Sequence, residues 1–393
     1  MSNPFPREEF NIRWGKAREL MQKKRLDALL ISNPSNYRYF TGSGYGWGSR
    51  RNVFILPIDQ EPVALVNGAQ KHSTEIGTYI NDVRWYNLPF RPEQIVDILK
   101  DLGLGHAVVG AELSYDYMTN IPYEVRELAH DAKVVDANDI LLTLRMIKTR
   151  NEVEALREVA LRHTTALQNM AGRVHGGMTV KEVGLILAES HREQGASTVG
   201  TRIELNIWNV DGQGEWLKEK SDPNRKLRKG DYVSFDSSMA GLKGYGADFG
   251  ATFVVGAPLK EHLDWWEKQI YIVRKWMEAS QPHVKMCDAH KAACQAVRDV
   301  GLDPMDYSGC FAVHRAHFAH GTGIDTVEQP YASRHEQREF EPGMTLCIEP
   351  GLEGREAEGA PKTMHREEII VITEDGYERL TTMDWDLHSV PEQ

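Results

Sequence analysis

Four acidic residues in the second half of the chain stand beside short apolar segments. Asp236 follows Tyr232–Phe235, Asp248 precedes Phe249–Val255, Glu349 follows Leu346–Ile348 and Glu367 precedes Ile369–Ile372. Taken singly, an acid at a strand end usually forms a turn, a cap or an ion pair. Four acids at the ends of core strands cost free energy unless they are paired or coordinate a cation. Together they predict strands whose ends share a cation.

One histidine completes this set. His320 lies in the run His317–Gly323, where a histidine alone would more often be structural. Four carboxylates match the charge of two divalent cations, and one imidazole makes the pair asymmetric. The predicted metal ligands are Asp236, Asp248, His320, Glu349 and Glu367. Such ligands favour manganese or zinc, with iron and cobalt as alternatives. A water shared by two such ions would ionise near neutral pH, and the resulting hydroxide is the predicted nucleophile.

The length of 393 residues predicts two domains, because one hydrophobic core rarely organises so long a chain. Helix-like and strand-like segments alternate up to a junction at 139–148, which predicts an α/β domain over residues 1–148. Residues 149–393 form the second predicted domain, with helices at 151–174, 180–193, 263–280 and 289–300. Two helices followed by strands, twice over, predict an α+β domain with an internal duplication.

Composition narrows the function classes. The formal net charge is −11 and no basic run is interleaved with aromatic residues, so we expect no nucleic-acid partner. The sequence shows neither a leader-like N-terminus nor the roughly 20 apolar residues of a membrane span. Its four cysteines form no CxxC pair, which argues against a disulfide framework. We therefore expect a cytoplasmic protein without a membrane partner.

Several ordered motifs resemble those of the pita-bread metallohydrolases, a superfamily that includes Xaa-Pro dipeptidase (prolidase), aminopeptidase P, methionine aminopeptidase and creatinase. The matching stretches are 230–236, 244–248, 320–325, 341–350 and 366–376, together with 36–42 and 145–154 in the first half. The resemblance spans nearly the whole chain. It implies a small N-terminal domain followed by a pita-bread domain, Glu367 rather than Glu368 as ligand, and a homodimer.

The sequence also departs from the peptidases of this superfamily. Asp236 and Asp248 are twelve positions apart, one more than usual, which implies a longer turn through Met239–Lys243. Val327 stands where the peptidases carry a second histidine, and Ala251 replaces their usual arginine. The stretch 208–230 contains no histidine, although the peptidases have one in this region. Groups that handle a peptide substrate are therefore missing.

Other residues are candidates for the missing roles. The predicted catalytic residues are Glu349, His317 and Glu328, with His314, Asp211 and Glu215 as further acid/base candidates. The predicted substrate-binding residues are Trp208, Asp211, Trp216, Arg315 and Arg366, with Trp47 as a further pocket candidate. Packing is the more usual role of any one tryptophan, and the arginines could simply neutralise nearby acids.

The preferred function is hydrolysis of a carbon–nitrogen bond in a dipeptide or other small polar substrate, with Glu349 moving a proton. An Xaa-Pro dipeptidase or aminopeptidase is the most ordinary version, and a specialised amidohydrolase is close behind. One alternative is a lyase acting on a small carboxylate, since Gly244–Asp248 also resembles the dimethylsulfoniopropionate-lyase branch. A second alternative is a catalytically silent binding protein of the same fold.

Overall fold

The structure is a computed structural model. It describes residues 3–43, 50–113, 123–129, 131–196, 202–210, 216–218, 222–311, 317–352 and 364–393, with the backbone alone for 202–210 and 216–218. Two compact units make up the chain, Met1–Arg145 and Met146–Gln393. The sequence-based boundary lies after residue 148.

The first unit alternates helices with strands. Its elements are α1 (Arg7–Lys24), β1 (Ala28–Ile31), α2 (Pro34–Thr41), β2 (Val53–Pro57), β3 (Val63–Asn67), α3 (Lys71–Gly77), β4 (Asp82–Tyr86), α4 (Glu93–Asp101), β5 (Val108–Ala111), α5 (Tyr123–Leu128) and β6 (Lys133–Asp136). Helix α6 (Asn138–Met146) carries the chain across the division. The strands form one mixed six-stranded sheet in the order β4-β3-β2-β1-β5-β6.

The second unit contains the longer helices and most of the strands. Its elements are α7 (Arg150–Ala171), α8 (Val180–Glu193), β7 (Arg202–Val210), β8 (Trp216–Lys218), β9 (Asp231–Ala240), β10 (Gly246–Val255), α9 (Lys260–Ala279), α10 (Met286–Asp299), β11 (Tyr307–Ser308), β12 (His317–Gly321), β13 (Glu328–Ser333), β14 (Thr345–Ile348), β15 (Gly351–Leu352), β16 (Glu368–Ile372), β17 (Tyr377–Arg379) and β18 (His388–Val390). The predicted order of two helices followed by strands occurs twice.

Two five-stranded sheets dominate this unit. Their strand orders are β18-β10-β9-β7-β8 and β13-β12-β14-β16-β17, and β11 pairs with β15 separately. One apolar cluster lies between β9/β10 and the helices α7 and α8, and another between β12/β14/β16 and the helices α9 and α10. Each sheet therefore buries one face under a helix pair, as expected for an α+β fold.

Local sequence signals fix where the first helix pair begins. The Thr149 hydroxyl accepts the amide of Glu152, and the Glu152 carboxylate accepts the amide of Thr149 at 2.8 Å. Thr179 and Glu182 form the same reciprocal arrangement before α8. Such capping boxes satisfy amide groups that the first helical turn leaves unpaired. The other oxygen of Glu152 accepts the Tyr245 hydroxyl at 2.6 Å, which joins the start of α7 to the turn before β10.

Strands β9 and β10 differ from their predicted bounds. The sequence placed Asp236 and Asp248 at strand ends, whereas both lie inside paired strands. The reason is side-chain alternation: residues of one face pack under α7 and α8, while the opposite face carries polar side chains and still completes the backbone ladder. The turn between them spans residues 241–245, later than predicted, with Lys243 at φ 61° and Gly244 at φ 83°.

Among the helices of the described ranges, none is both long and apolar enough to cross a membrane.

Candidate metal centre

The antiparallel pair β9–β10 presents the first two predicted ligands. Asp236 is opposite Gly250 and Asp248 is opposite Ser238, so period-2 geometry puts both aspartates on one face. The Ser238 hydroxyl donates to Asp248 Oδ1 at 3.0 Å and orients that carboxylate. The opposite face carries Phe235 and Phe249, which pack into the apolar core under α7 and α8.

The second five-stranded sheet carries the other three predicted ligands. His320 lies on β12 opposite Cys347 of β14, and Glu349 directly follows β14. Glu367 directly precedes β16, and its amide donates to the carbonyl oxygen of Gly250 on β10 at 3.1 Å. This hydrogen bond brings the second sheet to the strand that carries Asp248.

His320 is oriented towards two of the carboxylates. Its Nε2 lies 3.7 Å from Asp248 Oδ2 and 3.3 Å from Glu349 Oε2. Its Nδ1 lies 2.9 Å from the carbonyl oxygen of Gly321. A carbonyl can only accept, so Nδ1 carries the proton in this contact and Nε2 presents its lone pair to the acids. That is the tautomer a metal-binding histidine requires.

A second group of ligand atoms lies next to Glu349. One ligand atom from each of Asp236, Glu349, His365 and Glu367 lies within 4.8 Å of the other three. Glu367 is fully buried and Glu349 is 7% exposed, so their charges are poorly screened and repel each other. The chemistry of this donor set fits divalent cations, which would neutralise the carboxylates and accept both oxygen and nitrogen ligands.

His365 was absent from the predicted site. Its Nε2 lies 2.7 Å from Glu367 Oε1. The available signal was its spacing of two residues from Glu367, because residues i and i+2 of an extended segment face the same side. The adjacent Glu368 faces elsewhere: it accepts hydrogen bonds from Arg366 and Thr381 and pairs with Arg379.

The predicted substrate-binding residue Arg366 lies in this internal ion pair. Its Nε donates to Glu368 Oε1 at 2.7 Å and its Nη2 donates to the carbonyl oxygen of Met383 at 3.0 Å. The side chain is 1% exposed and packs over the rings of Phe249 and Trp385. This geometry favours charge neutralisation, the second of the two roles considered for Arg366, over substrate binding.

The predicted catalytic residues Glu328 and His317 have different surroundings. Glu328 Oε1 accepts from the Lys148 ammonium at 2.7 Å, with side-chain exposures of 2% and 1%, so its carboxylate is part of a buried ion pair. The ring of His317 lies 6.1 Å from that of His320. Val327, at the position of the missing second histidine, is 47% exposed. Of these two predicted catalytic residues, His317 is the one that contacts a predicted metal ligand, His320.

The other predicted substrate-binding and acid/base residues lie where the structure describes no side chains. Asp211, Glu215, His314, Arg315 and Trp47 lie outside the described residues. Trp208 and Trp216 belong to the paired strands β7 and β8, whose side chains are likewise outside the description. Their roles in substrate binding or proton transfer stay predictions.

A pair of buried histidines supports the strand that carries Asp236. His163 Nε2 lies 2.8 Å from the hydroxyl oxygen of Ser237, and its ring centroid is 4.9 Å from that of His191. Burial lowers the pKa of His191 to about 4, and burial followed by the neighbouring His191 lowers the pKa of His163 well below its usual 6.5. Both imidazoles are therefore neutral at pH 7. The sequence pattern gave no indication of this pair.

Comparisons with known proteins agree with this architecture. Residues 154–374 match the family model of metallopeptidase family M24, and residues 13–147 match that of the creatinase/prolidase N-terminal domain. The ectoine hydrolase of Halomonas elongata is 28% identical over 407 residues, covering 97% of each chain. The Xaa-Pro dipeptidase of Pyrococcus furiosus is 22% identical over 371 residues, covering 94% of this chain and 97% of the relative.

A solved structure extends the comparison to the fold. The dipeptidase PepE of Mycobacterium ulcerans superposes with a TM-score of 0.79 at 23% identity, covering 98% of this chain and 99% of that one. The predicted combination of a small N-terminal domain and a pita-bread domain is thus confirmed. Because the first family model spans more than half of the chain, including all five predicted metal ligands, the protein belongs to metallopeptidase family M24.

Proposed function

We propose that this protein is a hydrolase that holds two divalent metal ions and cleaves a carbon–nitrogen bond in a small polar substrate. The observation that carries the proposal is the convergence of three acids, of which Glu349 and Glu367 are buried and Asp236 is half-buried: their ligand atoms lie within 4.8 Å of one another. Glu349 also faces His320, which in turn faces Asp248. Buried carboxylates at such distances are stable when cations neutralise them.

The five predicted ligands would divide around a shared glutamate. Glu349 belongs to the group with Asp236 and Glu367, and it also lies beside the pair formed by His320 and Asp248. When bound, two divalent ions would polarise the substrate carbonyl and lower the pKa of a water molecule from about 15.7 towards neutrality. Manganese and zinc are the proposed ions, with iron and cobalt as alternatives.

The chain's own groups would move and hold protons. Glu349 is the proposed proton carrier, because its carboxylate can receive a proton from the attacking water and return it to the leaving nitrogen. The Gly321 carbonyl accepts the proton of His320 Nδ1 in a hydrogen bond. The Nε2 atom is then the nitrogen that would bind a metal ion and would not supply a proton. His317, whose ring centroid is 6.1 Å from that of His320, is the proposed additional acid or base.

Two substrate classes are supported by the relatives. Xaa-Pro dipeptidase and probable dipeptidase relatives support a dipeptide, whereas the ectoine hydrolase relative supports ectoine or a similar small molecule. Val327 and Ala251 replace peptidase side chains, which favours the non-peptide class. The lyase differs in its product: it would eliminate a group from a small carboxylate without adding water.

The test measures metal-dependent turnover of Xaa-Pro dipeptides, ectoine and small amides, with products identified by mass spectrometry. Wild type should release products containing the elements of water, and Asp248→Asn should lose activity by at least about 100-fold. Asp264→Asn, a change in an acid that pairs with Lys260 on helix α9, is the matched control and should keep full activity.

Two outcomes would contradict the hydrolase. An elimination product would favour the lyase, and a wild-type protein that neither binds metal ions nor turns over any of these compounds would favour a binding protein. We also propose that the protein forms a homodimer. A monomer mass in sedimentation equilibrium would contradict this proposal.

A further inference from the structure

The imidazole of His365 lies against the backbone of Gly250 on β10. A β-carbon built at Gly250 would come within 2.6 Å of Nε2 of His365, and closer still to Cδ2. Any other residue at this position would therefore push the ring away. Gly250 is paired with Asp236 across β9 and β10, so the glycine provides a seat for the ring beside that aspartate.

Hydrogen bonds fix the main chain on both sides of this seat. The His365 amide donates to Thr252 Oγ1 at 2.8 Å, and its carbonyl oxygen accepts from the same hydroxyl at 3.0 Å. The Glu367 amide donates to the Gly250 carbonyl oxygen at 3.1 Å. His365 is only 8% exposed. Its ring is therefore an ordered internal group and not a mobile surface side chain.

The ring nitrogen reaches the acids that the proposed function assigns to the metal ions. Nε2 of His365 lies 2.7 Å from Glu367 Oε1, and Asp236 and Glu349 complete the same 4.8 Å group. We propose that His365 is a sixth side-chain ligand of the metal centre, binding through Nε2, and that it shifts the centre's preference from manganese towards zinc or cobalt. This inference rests on the proposed function, because it requires the metal centre itself.

The shift in preference follows from ligand chemistry. Carboxylate and water ligands suit manganese, whereas imidazole suits zinc and other later divalent metals. His320 alone gives one nitrogen donor among four carboxylates, and His365 doubles the number of nitrogen donors. A histidine that only held Glu367 in place by a hydrogen bond would strengthen the binding of every divalent ion alike. The ratio of zinc to manganese affinity therefore separates the two roles.

The experiment measures zinc and manganese affinities by competition with a chromophoric chelator. His365→Gln removes the imidazole, and Gly250→Ala fills its seat while keeping every proposed ligand. Gly172→Ala is the matched control, because its β-carbon would meet no atom closer than 3.7 Å. His365→Gln should lower zinc affinity by about 100-fold and manganese affinity by about tenfold or less. Gly250→Ala should lower the zinc and manganese affinities in the same direction as His365→Gln does. Gly172→Ala should have the affinities of wild type.

Equal losses for zinc and manganese in His365→Gln, or no loss of either, would overturn the assignment of His365. Circular dichroism checks that the variants fold. If Gly250→Ala does not fold, His365→Gln alone decides the test. Asp248→Asn tests the metal centre separately. If wild type binds zinc and Asp248→Asn weakens that binding, the proposed metal centre stands even when His365→Gln binds zinc normally. A wild-type protein that binds neither ion would overturn the proposed function and this assignment together.

Discussion

Acidification should destabilise the protein through His191, which is 1% exposed in helix α8. Burial lowers the pKa of this imidazole from 6.5 to about 4. Between these two values the unfolded chain binds a proton that the folded chain does not. The stabilising effect of the neutral imidazole is therefore complete above pH 6.5 and is lost as the pH falls towards 4.

The magnitude follows from the two pKa values. At pH 5 an imidazole with a pKa of 6.5 is almost fully protonated in the unfolded chain, while the folded imidazole with a pKa of about 4 is mostly neutral. At about 1.4 kcal/mol per pH unit, the loss in the free energy of unfolding from pH 7.5 to pH 5 is about 2 kcal/mol. The lowered pKa of His163 acts in the same direction.

The assay compares wild type with His191→Leu by urea unfolding at pH 7.5, 6 and 5. Groups distant from His191 titrate alike in both proteins, so the difference between the two pH profiles reports His191 together with its effect on the neighbouring His163. Wild type should lose about 2 kcal/mol more than the variant between pH 7.5 and pH 5. Parallel profiles would refute the reasoning, because they would mean that His191 titrates alike in the folded and unfolded chains.

Three further predictions concern buried charges and the metal ions. Lys148→Met should lower the free energy of unfolding by about 3–5 kcal/mol, and adding Glu328→Gln should restore most of it, because the single change removes the ammonium with which the buried carboxylate forms its ion pair. Urea unfolding of both variants checks this, and equal losses would contradict it. Arg366→Met should destabilise the protein by less, because Arg379 and Thr381 still bind Glu368. It should leave the KM of the folded enzyme unchanged, whereas a raised KM would indicate substrate binding. Removing the metal ions with a chelator should lower the melting temperature reversibly, and an unchanged temperature would contradict the repulsion inferred between Glu349 and Glu367.

Much of the fold was accessible from local patterns. The bounds Val180–Glu193 of α8 agree with the predicted helix, because a capping box and an amphipathic period both mark it in the sequence. The sequence prediction places Asp236 and Asp248 at strand ends because they are polar, and it therefore makes both strands too short. Alternation explains the error: one strand face can be polar and buried when it lines a site.

The candidate site was only partly accessible for a related reason. The predicted ligands are acids beside apolar segments and the histidine of the run His317–Gly323, and the family resemblance selects Glu367 over Glu368. His365 fits neither description, although it precedes Glu367 by only two residues. Its proximity to Asp236 depends on the hydrogen bonds that join the segment 365–367 to β10, which are contacts distant in sequence. The importance of Gly250 is likewise visible only once the His365 ring is in place. The His163–His191 pair brings two helices together and has no local pattern.

The most direct test of the metal centre is anomalous diffraction from crystals grown separately with zinc and with manganese. The account predicts two anomalous peaks enclosed by Asp236, Asp248, His320, Glu349 and Glu367, with Glu349 next to both. The absence of peaks at these residues, or peaks only at surface sites, would contradict it.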